Sequence, residues 1–405
     1  MTRIMKKAQW IRLALMLLWV ISLAAIFFLA KEKFKNVLRR SMGTSNTLTR
    51  RSLILNVTIP DLNDEANFTS GNFYMPRDCP VNITLFTVFH EGLRAKQVLQ
   101  NNTLLNWMQL QRYCIRPVFY SNRPRGVLGG KEYHGWQHHP LSAKMIAHNN
   151  VILRELFTQT FKRHNSDFYM FAYADVLFHG DALLKTLSAI KEYVSAAELD
   201  NFFISGSGYK PSFYNNKRKL SRKLISGNDN DIRKLLPNWI LNKPYDKYIL
   251  EYFITTKDSF PWDVVPNLVV TTLAPDPLPT FWFPMYANKV GIATFDISNT
   301  IYPTIQAGLN PDLFDKKHRI ATKMNNFIFF KSFQKYCLYR EALYSHSRAN
   351  MTTLKCFKLR TRRDENGTIA IDESEIYSDQ SCNYKYPIMI PMLDHGDSNL
   401  EMALL

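Results

Sequence analysis

The sequence predicts an α/β body, a sheet flanked by helices, behind one N-terminal transmembrane helix. Three observations carry this expectation. Residues 13–30 (LALMLLWVISLAAIFFLA) run eighteen positions without a charge, and a helix of that length nearly crosses the ~30 Å hydrocarbon core of a bilayer. Short β-rich apolar runs then alternate with helical patterns along the chain. The composition, 46% apolar, 13% aromatic and 21% charged, supplies ample material for a core.

Arg3, Lys6, Lys7 and Arg12 precede the apolar run, and Lys31, Lys33, Lys35, Arg39 and Arg40 follow it. Trp10 and Arg12 extend the span into the headgroup interface. The competing reading is a cleaved signal peptide, whose apolar region runs only ~7–15 residues before a small-x-small site. Ser22-Leu23-Ala24 offers such a site, yet the run continues through Ile26, Phe27, Phe28 and Leu29, which favours a retained anchor. Charge flanks both ends and does not orient the helix. Glycosylation sequons at Asn56, Asn67, Asn82, Asn101, Asn350 and Asn366 all lie beyond it. So do Cys79, Cys114, Cys337, Cys356 and Cys382, which lack zinc-site spacing and favour disulfides in an oxidising compartment. The expectation is a single-pass protein with its body in the lumen. The formal net charge of +17 includes a dense patch at residues 210–234. That patch either meets anionic partners such as nucleotide diphosphates or is a solvated loop. Nucleic acid is disfavoured by the compartment.

Residues 31–78 are polar and irregular and read as a stem. Residues 82–90 (NITLFTVFH) read as a strand, the following stretch with Val98, Leu99, Leu104, Leu105, Met108 and Leu110 as a helix, and residues 114–121 as a second strand. That is a βαβ unit whose strands are parallel neighbours, starting at one sheet edge. Cys79 precedes the first strand and Cys114 opens the second, so these two are expected to be bridged, with a further bridge among the last three cysteines. A helical pattern covers roughly 143–163. Then come a strand in DFYMFAYADVLFHG (167–180), a helix at 183–194, a strand at 201–208, and further β-like runs in YILEYFITT, PNLVVTTL and VGIATFDIS.

In DFYMFAYADVLFHG an apolar strand ends in Asp175, placing a carboxylate where open α/β sheets bind ligands. Tyr173-Ala174-Asp175 resembles the metal-and-nucleotide line of GT-A nucleotide-sugar glycosyltransferases, in which an Asp-x-Asp or x-x-Asp triplet holds a divalent cation against the donor diphosphate. Residues 82–90 resemble that family's first nucleotide-binding strand. EYFITTKDSFPWDVVPNLVV resembles its acceptor segment, and FDISNTIYPTIQAG its closing segment. The resemblance spans roughly residues 79–308 and rests on the order of short motifs. It implies a GT-A-like mixed, mostly parallel sheet. It also implies a transferase of the Golgi or endoplasmic-reticulum membrane that moves a sugar from a nucleotide-sugar donor to a glycan or glycoprotein acceptor. Asp175 and Tyr173 stand on the cofactor line, with Asp175 as metal ligand to Mn²⁺ or Mg²⁺. Glu251, Asp276 or Asp296 would orient the acceptor or act as general base.

The departures from the family are specific. Tyr173 stands where the first acid belongs, and Thr304 where a late histidine often completes the metal shell. Three alternatives stay open: a metal bound weakly with phosphates supplying ligands, Lys217 and Arg218 of the basic patch replacing the cation, or lost catalysis in a glycan-binding relative. Each acid also has a plain structural reading: Asp175 as a turn cap, Asp296 with Ser298, Asn299 and Thr300 as a hydrogen-bonded turn, and Glu251 as a surface acid. His134, His138 and His139 lack the helix that aligns zinc ligands and read as a substrate-facing loop. The expected organisation is a tail at 1–9, an anchor at 10–30, a stem at 31–78, a catalytic domain at 79–335 and a disulfide-tied extension at 336–405.

Overall fold

The computed structural model describes residues 53–54, 76, 78–89, 94–122, 136–209, 250–271, 277–306, 319–325, 328, 354, 357–364 and 366–374. The expected anchor, most of the stem, the basic patch with Lys217 and Arg218, Asp276, His134, and Cys337, Cys356 and Cys382 lie outside these residues. Among the described residues no helix is long and apolar enough to cross a membrane.

The strands are β1 (Leu53–Ile54), β2 (Ile83–Val88), β3 (Ile115–Tyr120), β4 (Gln137–His139), β5 (Ile146–Ala147), β6 (Asn150–Ile152), β7 (Phe168–Ala172), β8 (Val176–Leu177), β9 (Phe202–Gly206), β10 (Tyr252–Thr255), β11 (Val269–Val270), β12 (Ala293–Asp296), β13 (Thr304–Ile305), β14 (Leu359–Arg363) and β15 (Ile369–Glu373). The helices are α1 (Arg94–Gln109), α2 (Leu153–Arg163), α3 (Gly180–Ala196), α4 (Pro277–Val290) and the single turn α5 (Ser298–Ile301). A ten-stranded sheet runs in the order β1-β15-β14-β12-β9-β10-β7-β2-β3-β4. Neighbours pair in parallel from β7 through β2 and β3 to β4, and from β9 through β12 to β14. Strand β10 lies antiparallel between β7 and β9. The sheet is therefore mixed and more parallel than antiparallel.

The βαβ expectation holds within a residue or two at the strand ends, with β2 and β3 parallel from Ile83↔Ile115 to Val88↔Tyr120. Their common starting edge brings Cys79 and Cys114 into a disulfide, Cα–Cα 5.8 Å apart and 35 residues apart in sequence. Every residue of β7, β9, β10 and β12 is buried, as expected for strands covered on both faces. Side chains alternate across the sheet. On one face Phe86 packs edge-on to Phe157 of α2, Phe157 stacks on Trp262, and Phe203 stacks on Phe283 of α4. On the other, Tyr193 of α3 meets Phe295. The core is thus an aromatic sandwich about the central strands.

One expected element is corrected. Residues 143–163 are not one helix. They form a 3₁₀ turn at Ala143–Met145, the hairpin β5–β6, and only then α2. His148 and Asn149 both take left-handed backbone angles, φ 47° and 62°, which makes the tight mirror-image turn that suits a two-residue hairpin. Asn tolerates that conformation, and the β-branched Val151 and Ile152 that follow prefer a strand. The apolar spacing of Met145, Ile146 and Ile152 mimics a helix without being one. Strand β11 likewise leaves the main sheet and pairs with β6. Strands β14 and β15, from the stretch read as an extension, join the main sheet beside β12, and β1, from the stretch read as stem, pairs with β15.

Candidate functional site

All parallel strands of the sheet end at one edge, and the antiparallel β10 begins there. The chain leaves β2 toward β3 on one side and leaves β7 toward β9 on the other, so the order reverses between β2 and β7. Such a reversal opens a crevice beyond the strand ends. Asp175 follows β7, Glu251 immediately precedes β10, and Asp296 ends β12. Three of the carboxylates nominated from sequence therefore converge on this edge. With strands ~4.8 Å apart, Asp175 and Glu251 issue from adjacent strands, and Asp296 lies two strands beyond Glu251. Backbone bonds join the same positions across the edge: Tyr173 N donates to Glu251 O (3.3 Å), Glu251 N to Gly206 O (3.0 Å), and Ile297 N to Ser205 O (3.1 Å).

Asp175 occupies the third position of a turn closed by Val176 N donating to Tyr173 O (3.1 Å). Asp175 is 0% exposed and Glu251 1% exposed, so Glu251 is not a surface acid. Beyond the turn, β8 pairs antiparallel with β13, which sets Thr304 opposite Leu177. Tyr209 N donates to Pro303 O (2.7 Å) and Ile305 N to Tyr209 O (2.9 Å). The exits of β7, β9 and α5 are thereby laced together above the strand ends. Thr304, the position the resemblance gives to a histidine, thus stands beside the Asp175 turn in space.

Asp296 is placed differently. Its Oδ1 accepts from Ser298 N (3.0 Å) and from Ser298 Oγ (2.6 Å), the bonding of an Asp that folds its own turn. Ser298 Oγ also accepts from Ser207 N (2.9 Å). Tyr252 reaches the same cluster. Burial first, then the negative charge of Asp296, pushes its phenol well above the usual tyrosine range, so at neutral pH it stays protonated. Gly206 makes room for this meeting: a Cβ there would collide with Tyr252 Oη and come within 2.6 Å of Ser298 Oγ. Tyr209, also raised by burial, donates its hydroxyl to Asn299 Oδ1 (2.8 Å).

Sequence reasoning passed over the residues that hold this edge in place. Asn102, Thr103, Asn106 and Trp107 of α1 and Gln306 after β13 are all buried and all point at residues 174–178 or at one another. The available signal was a polar stripe: Asn102 and Thr103 stand one turn before Asn106, interleaved with Leu99, Leu104 and Trp107.

His138 and His139 lie on β4, at the end of the strand order and three strands from β7. His138 Nε2 sits 2.9 Å from Ser121 O, and His139 Nε2 lies 2.9 Å from His164 Nε2. Burial, then the neighbouring His139, Arg116 and Arg163, lowers the His164 pKa to about 4. Burial, then Arg163 and His138, lowers that of His139. The pair is neutral at pH 7, one ring donating to the other.

Among the described residues no three His, Cys, Asp or Glu side chains gather as a metal site. Asp175 is the one acid of the cofactor line there. A single carboxylate fits a hard cation only where substrate phosphates and water complete the shell.

No protein-family model matches the chain, and no curated protein matches it in sequence. Among solved structures it is similar to the mannosyltransferase PcManGT from Pyrobaculum calidifontis, in complex with GDP-Man and Mn²⁺. The identity is 10% and the TM-score 0.35, over 64% of this chain and 66% of that one, just under two thirds of its length. It is also similar to S. aureus TarS 1–349, with 11% identity and a TM-score of 0.28 over 66% of this chain and 75% of that one. Likeness at these scores assigns no activity to this chain.

Proposed function

We propose that this chain is a membrane-anchored glycosyltransferase of the secretory pathway with a GT-A-like body, moving a sugar from a nucleoside-diphosphate donor to a glycan or glycoprotein acceptor. One observation carries the reading. Asp175 and Glu251, drawn from the segments that resemble the donor and acceptor lines of that family, emerge from adjacent strands at the edge where the sheet reverses. Asp175 faces the diphosphate. Glu251, on the neighbouring strand, takes the proton of the acceptor hydroxyl, a role that requires hydrogen-bond reach. Tyr252, held protonated by burial and by the charge of Asp296, belongs to the Asp296–Ser298 cluster. Asp296 shapes the floor through Ser298 instead of acting on substrate. A divalent cation held by Asp175, when bound, would neutralise the departing diphosphate. Both acids are closed to solvent, so donor entry requires this edge to open.

A second reading, a glycan-binding relative without transfer activity, is favoured by Tyr173 and Thr304 standing where the family places further ligands. Calorimetric titration of the body with uridine and guanosine diphosphates, with and without Mn²⁺, separates the two. Binding of either nucleotide is the expected result. Binding of neither defeats the transferase reading and promotes the glycan-binding one.

A further inference from the structure

The turn that carries Asp175 is closed by Val176 N donating to Tyr173 O. Here its backbone is gripped from outside at four carbonyls. Thr103 Oγ1 donates to Ala174 O (2.6 Å). Gln306 N donates to Asp175 O (2.9 Å). Trp107 Nε1 donates to Val176 O (2.9 Å). Asn106 closes the far end, its Nδ2 donating to Phe178 O (3.0 Å) and its Oδ1 accepting from Phe178 N (2.8 Å).

The grips are themselves linked. Asn102 Nδ2 donates to Gln306 Oε1 (2.9 Å), and Gln306 Nε2 donates to Thr103 Oγ1 (3.0 Å) and to Leu99 O (3.2 Å). The Thr103 hydroxyl has one proton, and of the two carbonyls in reach, Ala174 O (2.6 Å) and Leu99 O (3.1 Å), the nearer takes it. A one-way chain of donors thus runs from Asn102 through Gln306 and Thr103 to the carbonyl just before Asp175. Asn102 and Thr103 are 0% exposed and Gln306 4%. Burying so many polar groups is costly unless each is satisfied, and an apolar face on α1 would have packed the core at less cost. What these residues add is position.

We propose that Gln306, Asn102 and Thr103 form a positioning device that sets Asp175 at the height where it meets a nucleoside diphosphate. This rests on the donor-binding reading of Asp175. None of the three touches the ligand; they act through the backbone of the turn, since a site acts only as well as its supporting shell holds it.

The test uses the whole chain with Thr103→Val, which keeps shape and removes the hydroxyl, Thr103→Ser, which keeps the hydroxyl, and Gln306→Glu, which removes both side-chain donors. Hydrogen exchange over residues 173–178, calorimetric affinity for uridine and guanosine diphosphates, and melting temperature are measured on each. Thr103→Val and Gln306→Glu are expected to speed exchange across the turn and to weaken nucleotide binding roughly tenfold, the worth of about one hydrogen bond. Thr103→Ser is expected to restore both. A Thr103→Val protein with a lower melting temperature but unchanged affinity and unchanged exchange overturns the proposal, because the threonine would then be ordinary packing. Wild type that binds neither nucleotide defeats the donor-binding reading instead, and the exchange measurement still decides whether the clamp exists.

Discussion

Asp175 and Asp296 occupy equivalent places: each follows a buried parallel strand at the same sheet edge. The two turns draw support from different places. The Asp296 turn is made by its own side chain, whose Oδ1 accepts both Ser298 N and Ser298 Oγ. The Asp175 turn is made by other residues, with Thr103, Gln306 and Trp107 holding its carbonyls. The Asp296 side chain is tied into its own turn, whereas the backbone of the Asp175 turn is held by residues from α1 and the β13 exit. Two acids that look alike in sequence are separated by where their hydrogen bonds come from.

Exchanging each acid for alanine tests this difference most directly. Asp175→Ala should cut sugar transfer by about 10²–10³-fold, or ~2.7–4 kcal/mol, the scale of losing one charge-stabilising group, with little change in melting temperature. Asp296→Ala should do the reverse, costing about 0.5–2 kcal/mol of stability as lost caps do and sparing nucleotide binding. Equal thermal losses in the two variants would erase the distinction. At the opposite sheet edge, replacing Cys79 and Cys114 with alanine should cost roughly 3–4 kcal/mol for the loop they close. Nucleotide affinity measured below the melting transition should survive, and an affinity that fell in step would show the two edges to be coupled.

Gly206→Ala bears first on the Asp296 side, because its Cβ would push on Tyr252 and Ser298. A loss of about 1–3 kcal/mol, typical of overpacking, is expected in urea titration, and an unchanged midpoint would mean that the cluster is loose. The His139–His164 pair provides a control away from both turns. Its folded pKa values lie below the ordinary 6.5, with His164 at about 4. Between those values the unfolded chain binds more protons, so stability is fully present above pH ~6.5 and falls as the pH drops toward 4. His164→Gln should flatten that slope, and a slope that persisted would locate the titration elsewhere. The smallest energetic effect belongs to glycans: peptide mapping of protein made in animal cells should find Asn366, exposed at the β14–β15 turn, modified and Asn101, whose amide oxygen is buried in α1, unmodified.

Where the residue pattern was local and regular, the sequence was enough. The alternation of strands and helices, the first βαβ unit, the Cys79–Cys114 bridge and the place of Asp175 at a strand end all follow from period and order. A strand that is buried on both faces has to be apolar throughout and can meet a ligand only at its end. The hairpin at His148–Asn149 was hidden because a left-handed pair of backbone angles leaves no periodicity, only two permissive side chains. The pairing of β14 with β12 was hidden because strand neighbours distant in sequence are selected by the whole sheet.

The site divides along the same line. Sequence by itself placed Asp175 after an apolar strand, and the family resemblance nominated Glu251 and Asp296. Only the tertiary structure set the direction of β10 and brought the three acids to one edge. The Thr103–Gln306 contact joins residues 203 apart in sequence. Its hydrogen bonds exist only once α1 and β13 are packed against the same turn, and no local pattern in either segment encodes the other.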